Sequence, residues 1–243
     1  MTVLLSLQHI SRRFGGLLAL DDVSLDFAAR ARYCVIGPNG AGKSTLANVI
    51  CGAVRPSAGR VLLDGAEITG RSPHRIARRG IARKFQVPSC FPEASVGTNL
   101  RIAAESPAAR SRIAAGATPP ALADVLAVTG LADLARTTAS ELPHGRRQWL
   151  EIGMALVTAP KLLLLDEPSA GLTDDETLAT ARMIDELCGE MTVIAIEHDM
   201  RFVEAVGGEV IVLHQGAVLR RGTFDEVRAD HTVQDVYLGR SAR

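Results

Sequence analysis

Apolar and polar positions along this chain follow two rhythms. "VLLSLQHI" and "VSLDF" near the N-terminus alternate with a period of two and carry β-branched residues, which predicts strands. "RYCVIG" is a continuous apolar run that ends in a glycine-rich turn, so it predicts a buried strand. "KSTLANVICGA" then spaces Leu46, Val49 and Ile50 as one face of a helix. "GRVLLDGAEI" predicts a hairpin that turns at Asp64-Gly65. "PHRIARRG" predicts a short helix with Pro73 near its start and Gly80 past its end, and "IARKF" a strand. From about Val87 to Pro160 the pattern changes. This stretch is Ala-rich, contains Pro119-Pro120, and has helical rather than strand periodicity. Alternation then resumes. "KLLLLDEP", "MTVIAIEH" and "EVIVLHQG" predict strands, with helices over "DDETLATARMIDELCG" and "DMRFVEAVG" between them. The tail "TFDEVRADHTVQDVYLGR" predicts two short helices. Such alternation implies a largely parallel sheet covered on both faces. The expected organisation is one α/β domain over residues 1–243. Residues 1–86 and 161–243 form its core and 87–160 a helical subdomain.

Bulk properties narrow the partners. A chain of 243 residues fits one domain with a subdomain, and 47% hydrophobic content is ample for its core. The formal net charge of +0 gives no reason to expect a nucleic-acid partner. Basic residues do cluster from Arg71 to Lys84, which reads as a solvated helix face. The four cysteines, Cys34, Cys51, Cys90 and Cys188, form no CxxC pair, which points to a reducing compartment. "MTVLLSLQHI" is too short and polar for a signal peptide. No apolar run approaches the ~20 residues that span a bilayer. If the protein works at a membrane, other chains do the spanning.

Chemistry concentrates after the buried strand. "GPNGAGKST" is Gly37, Pro38, Asn39, Gly40, Ala41, Gly42, Lys43, Ser44 and Thr45, and it fits G-x-x-x-x-G-K-[ST] between a strand and a helix. The three glycines let backbone N–H groups converge on phosphate oxygens, and the helix N-terminus adds partial positive charge. Lys43 can reach the β- and γ-phosphates, and the Ser44 hydroxyl can ligate Mg²⁺. A second cluster lies where "LLLLDEP" ends in Asp166 and Glu167. The carboxyl ends of parallel strands line the ligand crevice of such sheets. There Asp166 can hold Mg²⁺ through water, and Glu167 can polarise a water attacking the γ-phosphate.

Three single residues carry both a bland and a specific reading. Gln86 is a polar strand end, or a contact to Mg²⁺ or the attacking water. His198 is a capping histidine, or a hydrogen-bond partner of the γ-phosphate. Phe14 is a core phenylalanine, or a face for adenine to stack on.

Taken in order, these pieces resemble the ATP-binding-cassette ATPases along essentially the whole chain. The resemblance assigns Phe14 as the aromatic before the phosphate loop, Gln86 as the Q-loop, and His198 as the switch histidine. It also places the signature at Leu142, Pro143, His144, Gly145 and Arg146. The family fold is a P-loop nucleotide-binding core with an antiparallel β portion and a helical subdomain. Two such subunits sandwich two ATPs, each between one phosphate loop and the opposite signature. "RRFGGLLALDDVSL", "RKFQVPSCFPEASVGTNL", "QWLEIGMAL", "LLLLDEPSAGLTDDE" and the terminal "VYLGR" resemble importer ATPases for branched-chain amino acids and urea, the urea type most of all.

The resemblance implies ATP and Mg²⁺ as cofactors and a peripheral position on the cytoplasmic face of the inner or plasma membrane. It implies two permease chains and an extracytoplasmic substrate-binding protein as partners. A second ATPase chain or a second copy of this one completes the sandwich. Coupling helices of the permeases dock, in this family, at the helical subdomain and the groove after Gln86.

Two positions depart from the family. Its signature reads Leu-Ser-Gly-Gly-Gln, whereas this chain has Pro143 at the serine position, which removes a hydroxyl and an N–H. His144 at the third position resembles the urea-type proteins. Gly145 keeps the backbone approach open, and Arg146 is expected to add a cation nearby. In the D-loop, Thr173 stands where the wider family has aspartate. Pro143 motivates an alternative function, a nucleotide-gated binding subunit with weak turnover. A soluble ABC-type ATPase of DNA repair or translation would need a coiled coil or a second cassette. A P-loop kinase would leave Gln86, the signature and His198 unexplained.

Overall fold

A computed structural model describes residues 2–84, 90–187 and 189–237. Two sheets form its frame. The first is antiparallel, with β1 (Val3–Phe14), β2 (Leu17–Ala28), β4 (Ala58–Leu63) and β5 (Ala66–Glu67) in the order β2-β1-β4-β5. The turn between β4 and β5 is the expected Asp64-Gly65 pair, both at positive φ as a tight hairpin requires. The second sheet is built from β3 (Arg32–Ile36), β6 (Ile81–Lys84), β7 (Leu162–Asp166), β8 (Thr192–Ile196), β9 (Glu209–His214) and β10 (Ala217–Gly222). Its order is β10-β9-β3-β8-β7-β6. All its neighbours are parallel except β9 and β10.

The apolar runs are buried because both faces of the parallel sheet are covered. Leu162 and Leu164 of β7 pack into one core, while Leu163 and Leu165 pack into the other. The period-two geometry of a strand dictates that split. The first core lies between the sheets and includes Leu5, Phe27, Val35 and Leu213. It also receives Leu46, Val49 and Ile50 from helix α1 (Lys43–Ile50), the three residues whose spacing predicts that helix.

The second core lies under the helices. After α2 (Pro73–Arg79) come α3 (Val96–Ala104), α4 (Pro107–Ala114), α5 (Leu122–Val128) and α6 (His144–Leu156). Ser95 and Ser106 cap α3 and α4 by accepting from the Thr98 and Ala109 amides. Buried Asn99 ties this region together. Its Oδ1 accepts from the Phe91 amide, and its Nδ2 donates to the carbonyls of Phe91, Ala94 and Ser95. Helices α7 (Asp174–Leu187), α8 (Met200–Val206), α9 (Phe224–Ala229) and α10 (His231–Tyr237) complete the described residues.

Strand β10 differs from expectation. Its residues are half-buried or exposed, and the charged pair Arg220-Arg221 interrupts any apolar alternation. It forms because Gln215 and Gly216, both at positive φ, turn the chain back on β9. Among the described residues no helix is long and apolar enough to cross a membrane.

Candidate functional site

The loop between β3 and α1 fits its surroundings closely. A Cβ on Gly37 (φ 151°) would lie 2.2 Å from the Leu213 carbonyl oxygen, and one on Gly42 (φ 105°) 2.6 Å from that of Ala19. Neither position accepts a side chain. The β9–β10 turn braces the loop from behind, with the Gly216 amide donating to the Ala41 carbonyl at 3.0 Å. Asn39 and Gly40 are exposed at the tip, Pro38 is half-buried, and Ser44 and Thr45 lie in the first turn of α1. Lys43 Nζ donates to the carbonyls of Gly37 (2.6 Å) and Pro38 (3.1 Å), so its ammonium lies over the loop. Burial lowers the Lys43 pKa, against the opposing fields of Glu167, Asp166 and Glu197. At the C-terminal end, the buried Tyr237 phenol of α10 faces the Gly37 amide. Burial pushes its pKa up to about 12, and the amide opposes that rise.

Two strands over, β7 ends in the acidic pair. Arg83 of β6 donates from Nη2 to Asp166 Oδ2 at 2.6 Å, with both side chains about 8% exposed. The same guanidinium donates to Asn48 Oδ1 (2.7 Å) and Cys51 Sγ (3.2 Å) on and after α1. Burial acts to lower the Arg83 pKa, but its bonds to Asp166 and Cys51 outweigh it and the pKa rises. Glu167 follows in a left-handed backbone conformation, φ 49°, with its amide donating to the Ile196 carbonyl. For a non-glycine residue such a conformation costs roughly 1–3 kcal/mol, and strain of this kind concentrates at functional sites.

His198 follows β8, with its side chain 60% exposed and Nδ1 3.8 Å from Glu167 Oε1, too far for a hydrogen bond. Glu197, which the sequence pattern hides inside an apolar strand end, is fully buried. Its carboxylate accepts from the amides of Ser169 (2.8 Å), His198 (3.0 Å) and Asp199 (3.4 Å). It thereby fixes the turns that carry both Glu167 and His198. Phe14 sits at the β1–β2 turn, 43% exposed, with the Arg12 guanidinium 4.3 Å from its ring centroid. Exposure rules out the core reading of Phe14. Gln86 lies outside the described residues.

The signature stretch opens α6. Leu142 is buried, and Pro143 occupies the N-cap with φ −54° and ψ 157° and no side-chain cap bond. The helix therefore starts at His144, as proline's fixed φ allows. The amides of its first turn lack the cap oxygen that serine would supply. A Cβ on Gly145 would lie 2.4 Å from Glu176 Oε1 of α7, so a side chain there would displace that carboxylate. Arg146 departs from expectation. Its Nη1 donates to the Gly130 carbonyl at 2.8 Å, and its guanidinium lies 4.5 Å from the Trp149 ring centroid. The charge is turned toward the end of α5 and is not held at the helix start, because the α6 twist points residue three of the helix that way.

Thr173 has a structural role. Its Oγ1 accepts from the Glu176 amide, and its own amide and hydroxyl donate to Glu176 Oε2, forming a capping box for α7. Thr173→Ala should lower stability by about 1 kcal/mol, read as a shift in the denaturation midpoint at unchanged slope. An unchanged midpoint would show that the cap contributes nothing.

The family description "ABC transporter" matches residues 20–170. The high-affinity branched-chain amino acid transport ATP-binding protein BraF of Pseudomonas aeruginosa is 36% identical over 249 residues. That match covers 97% of this chain and 98% of BraF. LivG of Escherichia coli K12, named for the same transport, is 35% identical over 97% of this chain and 98% of its own. Among solved structures, the ADP conformation of the ATP-binding cassette MJ1267 superposes with a TM-score of 0.86 at 31% identity, covering 98% of this chain and 100% of that one. With family, full-length relatives and fold in agreement, the chain belongs to the ABC transporter family, as the ATP-binding and ATP-hydrolysing subunit of an importer.

Proposed function

We propose that this subunit powers import of branched-chain amino acids, urea or a similar small polar solute. The observation that carries the reading is the end-to-end similarity to BraF, whose name specifies branched-chain amino acid transport. The urea option rests on the resemblance of His144-Gly145 and the following "QWLEIGMAL" to the urea-type proteins. Two permease chains and an extracytoplasmic binding protein complete the proposed importer, with this chain on the cytoplasmic face. A groove of about 400 Å³ between α2, β6 and the helices suits a permease helix, with His74, Ile76, Arg83, Ala103, Glu151 and Met154 on its walls. The proposed helical subdomain, 87–160, supplies one of those walls.

In this reading residues 37–45 hold the phosphates and Lys43 neutralises the β/γ oxygens. Glu167 polarises the attacking water, and His198 contacts the γ-phosphate. Phe14 stacks on adenine. The donors fit Mg²⁺, a hard cation that needs only one or two protein oxygens beside phosphate and water. Asp166 has Oδ2 on Arg83 and no hydrogen bond to Oδ1 among the described residues. Ser44, Gln86 and Asp166 would hold the ion, which offsets charge on the transferred phosphoryl group. The test is uptake into vesicles reconstituted with the chain and the permeases that co-purify with it, with ATP on the subunit's side. ATP-dependent accumulation of labelled leucine or urea is expected; accumulation of neither contradicts the solute assignment.

Pro143 supports a second reading, a subunit with weak turnover, because α6 starts without a cap oxygen. In the sandwich a signature serves the partner's phosphate loop, so the defect lies in the partner's site and spares the one built on Lys43 wherever the partner's own signature is intact. Pro143→Ser should therefore strengthen ATP-driven dimerisation by roughly 1–3 kcal/mol, read by sedimentation in a Glu167→Gln background. A homodimer gains at both sites and a heterodimer at one. Unchanged or weaker dimerisation would mean that Pro143 is no defect.

A further inference from the structure

One buried polar chain lies between the signature helix and the acidic strand end. Lys84, the last residue of β6, is 5% exposed, and its Nζ donates to Gln148 Oε1 of α6 at 3.2 Å. Gln148, 6% exposed, donates from Nε2 to the Ala170 carbonyl at 2.7 Å. The same Nε2 lies 2.9 Å from His144 Nε2. The two ends of the amide fix its orientation. The lysine needs the oxygen and the Ala170 carbonyl needs the nitrogen, so a flipped amide would lose both bonds. Ala170 lies three residues after Glu167, and Gly171 approaches so closely that a Cβ there would lie 3.1 Å from His144 Nε2. His144 is also the first residue of α6.

A buried ammonium is costly unless it is paired. Burial lowers the Lys84 pKa, against the opposing fields of Glu151 on α6 and of Asp166, Glu197 and Glu167 at the strand ends. The ammonium thus sits between a carboxylate of the helical region and three carboxylates of the sheet. Sheet strand β6, helix α6 and the segment after Glu167 share this one contact.

We propose that Lys84 is a positioning residue that, through Gln148, ties the start of α6 to the segment following Glu167. The position of the signature end that a chain presents to its partner's nucleotide then depends on the segment beside its own nucleotide. Occupancy of one phosphate loop is thereby felt at the opposite site. The inference rests on the roles proposed above for Glu167 and for the α6 start. Failure of those roles shows as unimpaired hydrolysis by Glu167→Gln, whereas failure of the link shows only at α6.

Trp149, the single tryptophan of the chain, adjoins Gln148 and donates to Thr180 from within the core, so its fluorescence reports α6. The experiment titrates the full chain with Mg-ATP and follows Trp149 emission, with nucleotide affinity measured in parallel by calorimetry. The parent should show a nucleotide-dependent change in emission. Lys84→Met and Gln148→Leu should bind ATP with parental affinity yet lose that change by at least about fivefold, the low end of coupling between sites. The double variant should do no worse than either single one, because the two residues act as a unit. Lys84→Arg should retain the response. If Lys84→Met does not fold, Gln148→Leu carries the test. A parental chain without a response, variants that respond as the parent does, or variants that lose ATP affinity in step with the response would each overturn the proposal.

Discussion

Glu167→Gln will bind Mg-ATP as the parent does and hydrolyse it about 10²–10⁴-fold more slowly, the range that a general base or orienting carboxylate contributes. The substitution is nearly isosteric. The backbone at Glu167 is held by its own amide bond to Ile196, and the turn behind it by Glu197, so neither depends on the Glu167 side chain. What is lost is the negative charge beside His198. Binding therefore survives while the transition state loses its partner, the pattern of an interaction made only in the transition state. Single-turnover phosphate release with calorimetric affinity in parallel separates the two. Hydrolysis at the parental rate would remove Glu167 from the mechanism.

Lys43→Ala will weaken Mg-ATP binding by at least about tenfold, since one charge-assisted hydrogen bond is worth roughly 1.5–3 kcal/mol. Lys43 also holds the Gly37 and Pro38 carbonyls, so a melting curve must accompany the titration. The glycine contacts with Leu213 and Ala19 are independent of the lysine and keep the loop in place. Unchanged affinity in a folded variant would refute the phosphate-loop assignment.

These predictions draw on features that were local in the sequence. The nine residues 37–45 read as a phosphate loop from their spacing between a strand and a helix, because phosphate binding requires consecutive backbone amides. The buried run "LLLL" and its acidic end were equally legible. Tertiary facts were not. β10 carries no apolar alternation and exists because a turn folds it onto β9. Glu197 looks like the end of a strand, yet its carboxylate organises two site turns. Arg146 stands beside the signature in sequence but is captured by Gly130 and Trp149. Thr173 reads as a missing aspartate until Glu176 is seen to complete its cap. Arg83 and Lys84 lie in a basic run that reads as a solvated helix face. In the fold they end a buried strand, one on Asp166 and the other on Gln148.

The most direct test of the account is phosphate release from Mg-ATP by the purified chain at rising protein concentration, with Lys43→Ala as the blank. The account predicts release above that blank, with turnover per chain rising with concentration where two copies of this chain form the sandwich. Release no greater than that of Lys43→Ala at every concentration would contradict it.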